Sequence, residues 1–343
     1  MPLSHLLYPL LLMLPPDAVS ASVVSLNRFA VKGLGPSSLT SVVVSDGETF
    51  PDDRRFALLR RVHSSKFDPR DPVWIHKENF LCAFSNPDLL ARFYSEYEQV
   101  RRIPCDDDVG GEGDSNDDGN GALRAAATRR TLTVWRRDPT SGIRIKGNLP
   151  ALGPVDLATE SGRAAVGKFF SAESGEDVIC VSAADDENRH THQFGNTQSG
   201  VRERGDTRTI HIVNAATVRE LSKKLGVSIS PERFRPNVVV DGIEPWAEFG
   251  WVGRSLHVHS GANLDNSMLG KEDVGMILDV ISRTVRCEGI GIDPDDPRTG
   301  KLDIPRLLQQ HYPEHGPYLG VYAVVVKGGC LNLGDDLTLL DHT

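Results

Sequence analysis

Cys287 stands directly after Arg286, at the end of a strand-like stretch that begins with the apolar run Met276 to Ile281 and ahead of the turn-rich run Ile292 to Gly300. A neighbouring cation favours the thiolate, the form that attacks electrophiles and binds soft metals. A lone cysteine beside a β-rich segment is also a common small core residue, so this stretch alone leaves both readings open. A second group lies some fifty positions earlier, in Arg233-Phe234-Arg235-Pro236-Asn237. A guanidinium can hold an oxyanion through two parallel hydrogen bonds, and Pro236 disfavours helical backbone at Arg235, which predicts an extended residue there with Asn237 supporting the loop. An ion pair of Arg235 with Asp241 or Glu232 is the competing account. A third group begins at Asn214. Ile210 to Val213 reads as a strand, Asn214 as the cap of a helix ended by Gly226, and Thr217 with Glu220 as a capping-box pair. Such a helix start aims free N–H groups at an anion.

The elements that must position these groups are mostly strands. Val23 to Val31, Thr40 to Ser45, Phe56 to Leu59 and Thr131 to Trp135 are rich in β-branched and aromatic residues. Helices are predicted from Asn86-Pro87, with Leu90, Phe93 and Tyr97 on one face, over Ser161 to Phe170, and after Asp303-Pro305. Gly320 to Val326 and Gly329 to Leu333 read as the closing strands of a β-barrel. His190 and His192 lack a third spaced ligand and read as loop residues rather than a metal site.

The formal charge of -9 is concentrated in one place. Asp106, Asp107, Asp108, Glu112, Asp114, Asp117 and Asp118 fall in a glycine-rich stretch without Lys or Arg. Residues 105–128 therefore read as a disordered acidic insertion, and the near-balanced remainder shows no nucleic-acid footprint. The 5 cysteines include no C-x-x-C pair, which argues against a disulfide framework and a zinc knuckle and for a reducing compartment. Cys82 and Cys180, in apolar runs, are predicted core. Leu6 to Leu14 is too short to span a bilayer, so residues 1–21 read as a targeting or unstructured leader, and no clear transmembrane segment is expected.

Taken in order, Arg233-Phe234-Arg235-Pro236-Asn237, Glu248 with Trp251, Arg286-Cys287, Asp293-Pro294 with Gly300, Gly320-Val321-Tyr322 and Gly334-Asp335 resemble the pattern of the MOSC family. The resemblance implies a mainly β protein with some α, built as an N-terminal β-barrel domain (22–150) and a MOSC β-barrel domain (151–343). It implies a molybdenum cofactor, the metal-bearing molybdopterin, with Cys287 as metal ligand and catalytic residue. Lys32 and Arg55 match basic residues that reach the cofactor phosphate in relatives, and Arg235, Asn237, Asn214, Thr217 and Arg286 complete the implied cofactor-binding set. Thr284 stands where many family reductases have a first cysteine, leaving Cys287 as the single candidate ligand. The implied activity is reduction of N-hydroxylated compounds, as in the family's amidoxime-reducing members, and the alternative is a non-catalytic cofactor or sulfur carrier. No four-cysteine spacing for an iron–sulfur cluster and no pyridoxal-phosphate domain accompany the pattern. Electrons are therefore expected from an external cytochrome b5-type or ferredoxin-type protein. The expected location is cytoplasmic or organellar, mitochondrion or plastid.

Overall fold

Alternation of inward and outward side chains every second residue is the pattern on which the chain folds. In the computed structural model, residues 20–101, 128–138, 140–141, 149–184, 189–190, 192–195, 208–259, 275–293 and 300–340 are described. Residues 1–19 of the expected leader, nearly all of the acidic insertion with Cys105, and Pro294 lie outside these residues, while Ala21, expected in the leader, is the buried first residue of the first strand. The strands are β1 (Ala21–Arg28), β2 (Ser37–Leu39), β3 (Ser41–Val44), β4 (Phe56–Arg60), β5 (Phe93–Arg101), β6 (Thr128–Arg136), β7 (Leu152–Asp156) and β8 (Val178–Ser182). They continue with β9 (Ile210–Asn214), β10 (Val238–Asp241), β11 (Ser255–His259), β12 (Ile277–Val285), β13 (Tyr318–Lys327), β14 (Gly329–Asn332) and β15 (Asp336–Leu339). The helices are α1 (Pro87–Leu90), α2 (Glu160–Ser174), α3 (Ala215–Leu225) and α4 (Ile304–His311).

The protein is mainly β, and a closed 7-strand barrel is its centre. The order runs β10-β9-β13-β12-β11-β15-β1, and β1 closes it by pairing back onto β10. Only β9 and β10 within it run parallel. Its interior is filled by Leu26, Ile212, Val238, Leu256, Leu278, Val280 and Val321, among others. On β11 the alternation is visible directly, with Leu256 and Val258 inside and Ser255, His257 and His259 outside. The barrel therefore takes β1 from the opposite end of the sequence, a pairing that local periodicity cannot announce. The N-terminal part also forms smaller sheets, β4 with β8 and β5-β6-β7. They share a core with α2 in which Phe56, Leu58, Phe93, Leu132, Val166 and Phe170 are buried.

The helix expected from Asn86 is a single turn, α1, and Phe93 and Tyr97 belong instead to β5. Asn86 makes no side-chain cap; its Oδ1 accepts from Arg60 at 3.0 Å and its Nδ2 donates to Glu176 at 3.1 Å. Without a cap the turn has nothing to hold it open as a helix, while Phe93, Tyr94 and Tyr97 favour the strand that pairs with β6. The expected closing strand Gly329 to Leu333 is β14, which pairs with β3 in a separate two-stranded sheet, and β15 with β1 completes the barrel instead. Asn214 caps α3, Gly226 at φ 67° ends it, and Asp303 caps α4 with Pro305 in its first turn.

Candidate functional site

Where the barrel meets the N-terminal sheets, four chain segments enclose a cavity of about 360 Å³. The first is the turn leading into β4. Asp52 and Arg54 take left-handed backbone, at φ 62° and 51°. Asp53 Oδ1 accepts from Phe29 N at 2.8 Å and its Oδ2 from Gln193 at 2.8 Å. This sharp turn points Arg54 into the cavity, where Nη2 donates to the Arg235 carbonyl at 2.9 Å and Nη1 pairs with Asp53. The second is the turn Pro231–Phe234, which ends on Arg235 at φ 57°. The third is the end of β12, where Arg286 N donates to Pro317 O at 2.8 Å and Cys287 follows, exposed. The fourth begins at Lys32, whose N–H donates to Phe56 O at 2.8 Å, and continues through the wall formed by residues 74–84. Gly33 allows these to meet. It sits at φ 95°, and a Cβ there would fall 2.9 Å from Cys82 Cα.

Lys32, Arg54, Arg235, Arg286 and Lys77 all line the cavity, and among the described residues no Asp or Glu does. Two of these side chains have polar atoms cut off from solvent with no partner among the described residues, Arg235 Nη2 and Arg286 Nε. Burial lowers the pKa of Arg235 to about 9, assisted by repulsion from Arg54. Burial likewise lowers Lys32 and Arg286, opposed most by Cys82 at Lys32 and by Tyr322 at Arg286, with Cys287 the smaller opposing group at both. His211, on β9 beneath these groups, is held well below the usual imidazole range by burial and by the charges of Arg286 and Arg54. Its partners fit a neutral ring that donates from Nδ1 to Arg235 O (3.2 Å) and accepts at Nε2 from Arg286 Nη1 (3.4 Å). An anion reaching these desolvated cations would fill the unused donors, each of which is otherwise a standing cost.

Of the residues singled out in the sequence, the structure brings Cys287, Lys32, Arg235 and Arg286 together. Arg235 is left-handed rather than extended. Pro236 disfavours the right-handed helical region, and the chain turns the other way, stacking the guanidinium 4.3 Å from the Phe29 ring centroid. Arg55 does not line the cavity. It is fully buried, bonded through Nη1 to Asp52 at 2.8 Å, and Asp52 also accepts from Arg130 (3.0 Å) and the Tyr97 hydroxyl (2.6 Å). Its neighbour Arg54 takes the cavity position.

Asn214 and Thr217 do not line it either. The corner read as an anion site is filled by the chain's own Glu248, which accepts from Asn214 Nδ2 (3.1 Å) and Thr217 Oγ1 (3.0 Å). Burial pushes Glu248 up to about 7. Thr217 makes no capping box; its Oγ1 accepts from Trp246 N at 2.8 Å. Asn237 is buried behind the cavity as a brace, accepting from His211 N at 3.0 Å and donating to Asn27 O at 3.2 Å. Thr284 is buried and absent from the lining. Sequence reasoning missed Arg54, His211, Tyr322 and Cys82 as lining residues. Tyr322 sits in the Gly320-Val321-Tyr322 motif and Arg54 directly precedes Arg55, so the sequence signals lie beside both side chains.

A family description, MOSC domain, matches residues 191–338. Mitochondrial amidoxime reducing component 2 of Rattus norvegicus is 27% identical over 142 residues, a stretch covering 38% of this chain and 36% of that protein's length. Among solved structures, the YUAD protein of Bacillus subtilis aligns at 19% identity over 45% of this chain and 80% of its own, with a TM-score of 0.28. YiiM of Geobacillus stearothermophilus aligns at 15% identity over 38% and 54%, with a TM-score of 0.27.

Proposed function

We propose that this chain, whose residues 191–338 are a MOSC domain, binds a molybdenum cofactor in the cavity beside Cys287 and reduces N-hydroxylated compounds with electrons from an external donor. The observation that carries the reading is the set of cations around one exposed thiol, with unfilled donors on Arg235 and Arg286 and, among the described residues, no carboxylate in the lining. These residues fit an anionic cofactor. Arg54, Arg235, Arg286 and Lys32 would hold its phosphate and pterin oxygens, and the Cys287 thiolate would bind the metal. A single thiolate in the lining suits a soft metal that arrives with its own chelating ligand. When bound, the group supplies two-electron redox chemistry. His211, neutral at ordinary pH, braces Arg235 and Arg286 without adding to the repulsion among the cations.

Reducing an N–OH group to N–H consumes two electrons and two protons and releases water, so a donor must dock. A cytochrome b5-type or ferredoxin-type protein fits that need. No helix among the described residues is long and apolar enough to cross a membrane. The relative's printed name supports an organellar location, which an N-terminal reporter fusion would test. For the activity, cofactor-loaded protein should reduce benzamidoxime with reduced viologen and not with NADH alone. Loaded protein that is inert with the viologen donor across several N-hydroxylated substrates, yet passes its cofactor to an apo-enzyme, would replace this reading with that of a carrier.

A further inference from the structure

The two sides of the cavity differ in kind. The barrel side presents Arg235 and Arg286, whose spare donors suit a cofactor. The opposite side is the segment 74–84, which contributes Trp74, Lys77, Phe80 and Phe84. Lys77 lies with its Nζ 3.6 Å from the Phe84 ring centroid. Among the described residues Lys77 makes no ion pair, and its cation–π contact holds the charge at a fixed place on the wall. Trp74 packs edge-on against His76, ring centroids 5.7 Å apart. Gly289 lines the cavity beside both the thiol and this wall. A methyl added there would lie 3.5 Å from Cys287 Sγ and 3.5 Å from both Phe84 Cα and Cβ. A methyl there would touch the thiol and Phe84 together and so narrow the approach between them.

We infer that the 74–84 wall is the substrate-facing side of the cavity and selects planar aromatic substrates bearing a negative charge, with Lys77 pairing with that charge and Gly289 keeping the approach to Cys287 open. The inference rests on the proposed cofactor reading, because a bound cofactor engages the cations of the barrel side and leaves Lys77 as the lining cation free to meet a substrate. Trp74 and Phe84 supply the apolar faces for the ring, and the charge on Lys77, partly withdrawn from water, strengthens a pairing that would be weak on an open surface.

The test uses cofactor-loaded protein whose molybdenum content has been measured. Benzamidoxime and its 4-carboxy derivative are titrated while tryptophan fluorescence is followed, with Trp74→Phe identifying the responding residue, and turnover is measured separately with reduced viologen. The charged compound is expected to bind about 10-fold more tightly, a difference of about 1.4 kcal/mol. Lys77→Gln should bring the two affinities together, Lys77→Arg should restore the preference, and molybdenum content should stay at the wild-type level in both. Gly289→Ala should weaken both compounds at unchanged molybdenum content. Equal affinities in the wild type, or a preference that survives Lys77→Gln, overturns the inference. Preferential binding without turnover supports this wall as an anion-selective site and counts against the reductase reading instead.

Discussion

Arg54 and Arg55 are adjacent in sequence and end in opposite situations. Arg55 joins Arg130 and Tyr97 around the single carboxylate of Asp52, where burial and the Asp52 charge raise the Tyr97 hydroxyl well above its usual range. Arg54 keeps Asp53 as its acid but turns into a cavity with Lys32, Arg235 and Arg286, and no Asp or Glu among the described residues lines that cavity. The same contrast recurs two residues apart in the R-F-R segment. Arg233 is buried and pairs with Asp293 at 3.4 Å, while Arg235 keeps an unfilled donor. A buried cation with its acid in place serves the fold, and removing the acid strands it. A buried cation without one costs stability unless a ligand completes it.

The largest expected effect breaks the closed cluster. Asp52→Ala leaves two buried guanidinium groups without their shared acceptor and should cost about 3–5 kcal/mol in urea-induced unfolding. Arg235→Met sharpens the contrast from the other side. It should leave the stability of cofactor-free protein unchanged or raise it by about 1 kcal/mol, because an uncompensated charge leaves the interior. Cofactor retained through gel filtration should nevertheless fall about 10-fold, the loss of one charged bidentate contact. A stability loss equal to that of Asp52→Ala would erase the distinction between the two clusters.

A smaller effect concerns Glu248, the carboxyl that occupies the corner behind α3. Its folded pKa of about 7 lies above the ordinary value of 4.5, so between these pH values the folded state holds a proton that the unfolded chain has released. The associated stability is complete below pH 4.5 and is lost as pH rises through 7, by at most about 1.4 kcal/mol per pH unit. His211 works in the opposite sense. Its depressed pKa means that below about pH 6.5 the unfolded chain takes up a proton the folded ring refuses, and stability falls as pH falls. Thermal melts of Glu248→Gln between pH 5 and 8 should lose the first dependence and retain the second.

Much of this was legible in the sequence, and the failures have physical causes. The alternation of β9, β12 and β13, the Asn214 cap and the Gly226 stop are local patterns, and they appear where the chain announces them. Closure of the barrel by β1 is not local, since its partners β10 and β15 lie more than 200 residues away in the chain. Choosing Arg55 over Arg54 failed because two left-handed residues, Asp52 and Arg54, reverse the direction of the turn, and non-glycine residues rarely reveal that conformation in sequence. Asn214 and Thr217 were read as anion ligands for sound reasons, but their anion is Glu248, an acid 34 positions after Asn214. Cys82 was correctly placed as buried, yet burial did not disclose that it backs a cavity.

The central claim is that the cavity holds a metal-bearing anionic cofactor through Cys287. Molybdenum analysis of protein purified from cofactor-producing cells tests it most directly, comparing wild type with Cys287→Ala, a substitution at an exposed side chain that should leave the fold intact by circular dichroism. Stoichiometric molybdenum in the wild type and its loss in Cys287→Ala is the expected result, and equal metal content in the two proteins would contradict the account.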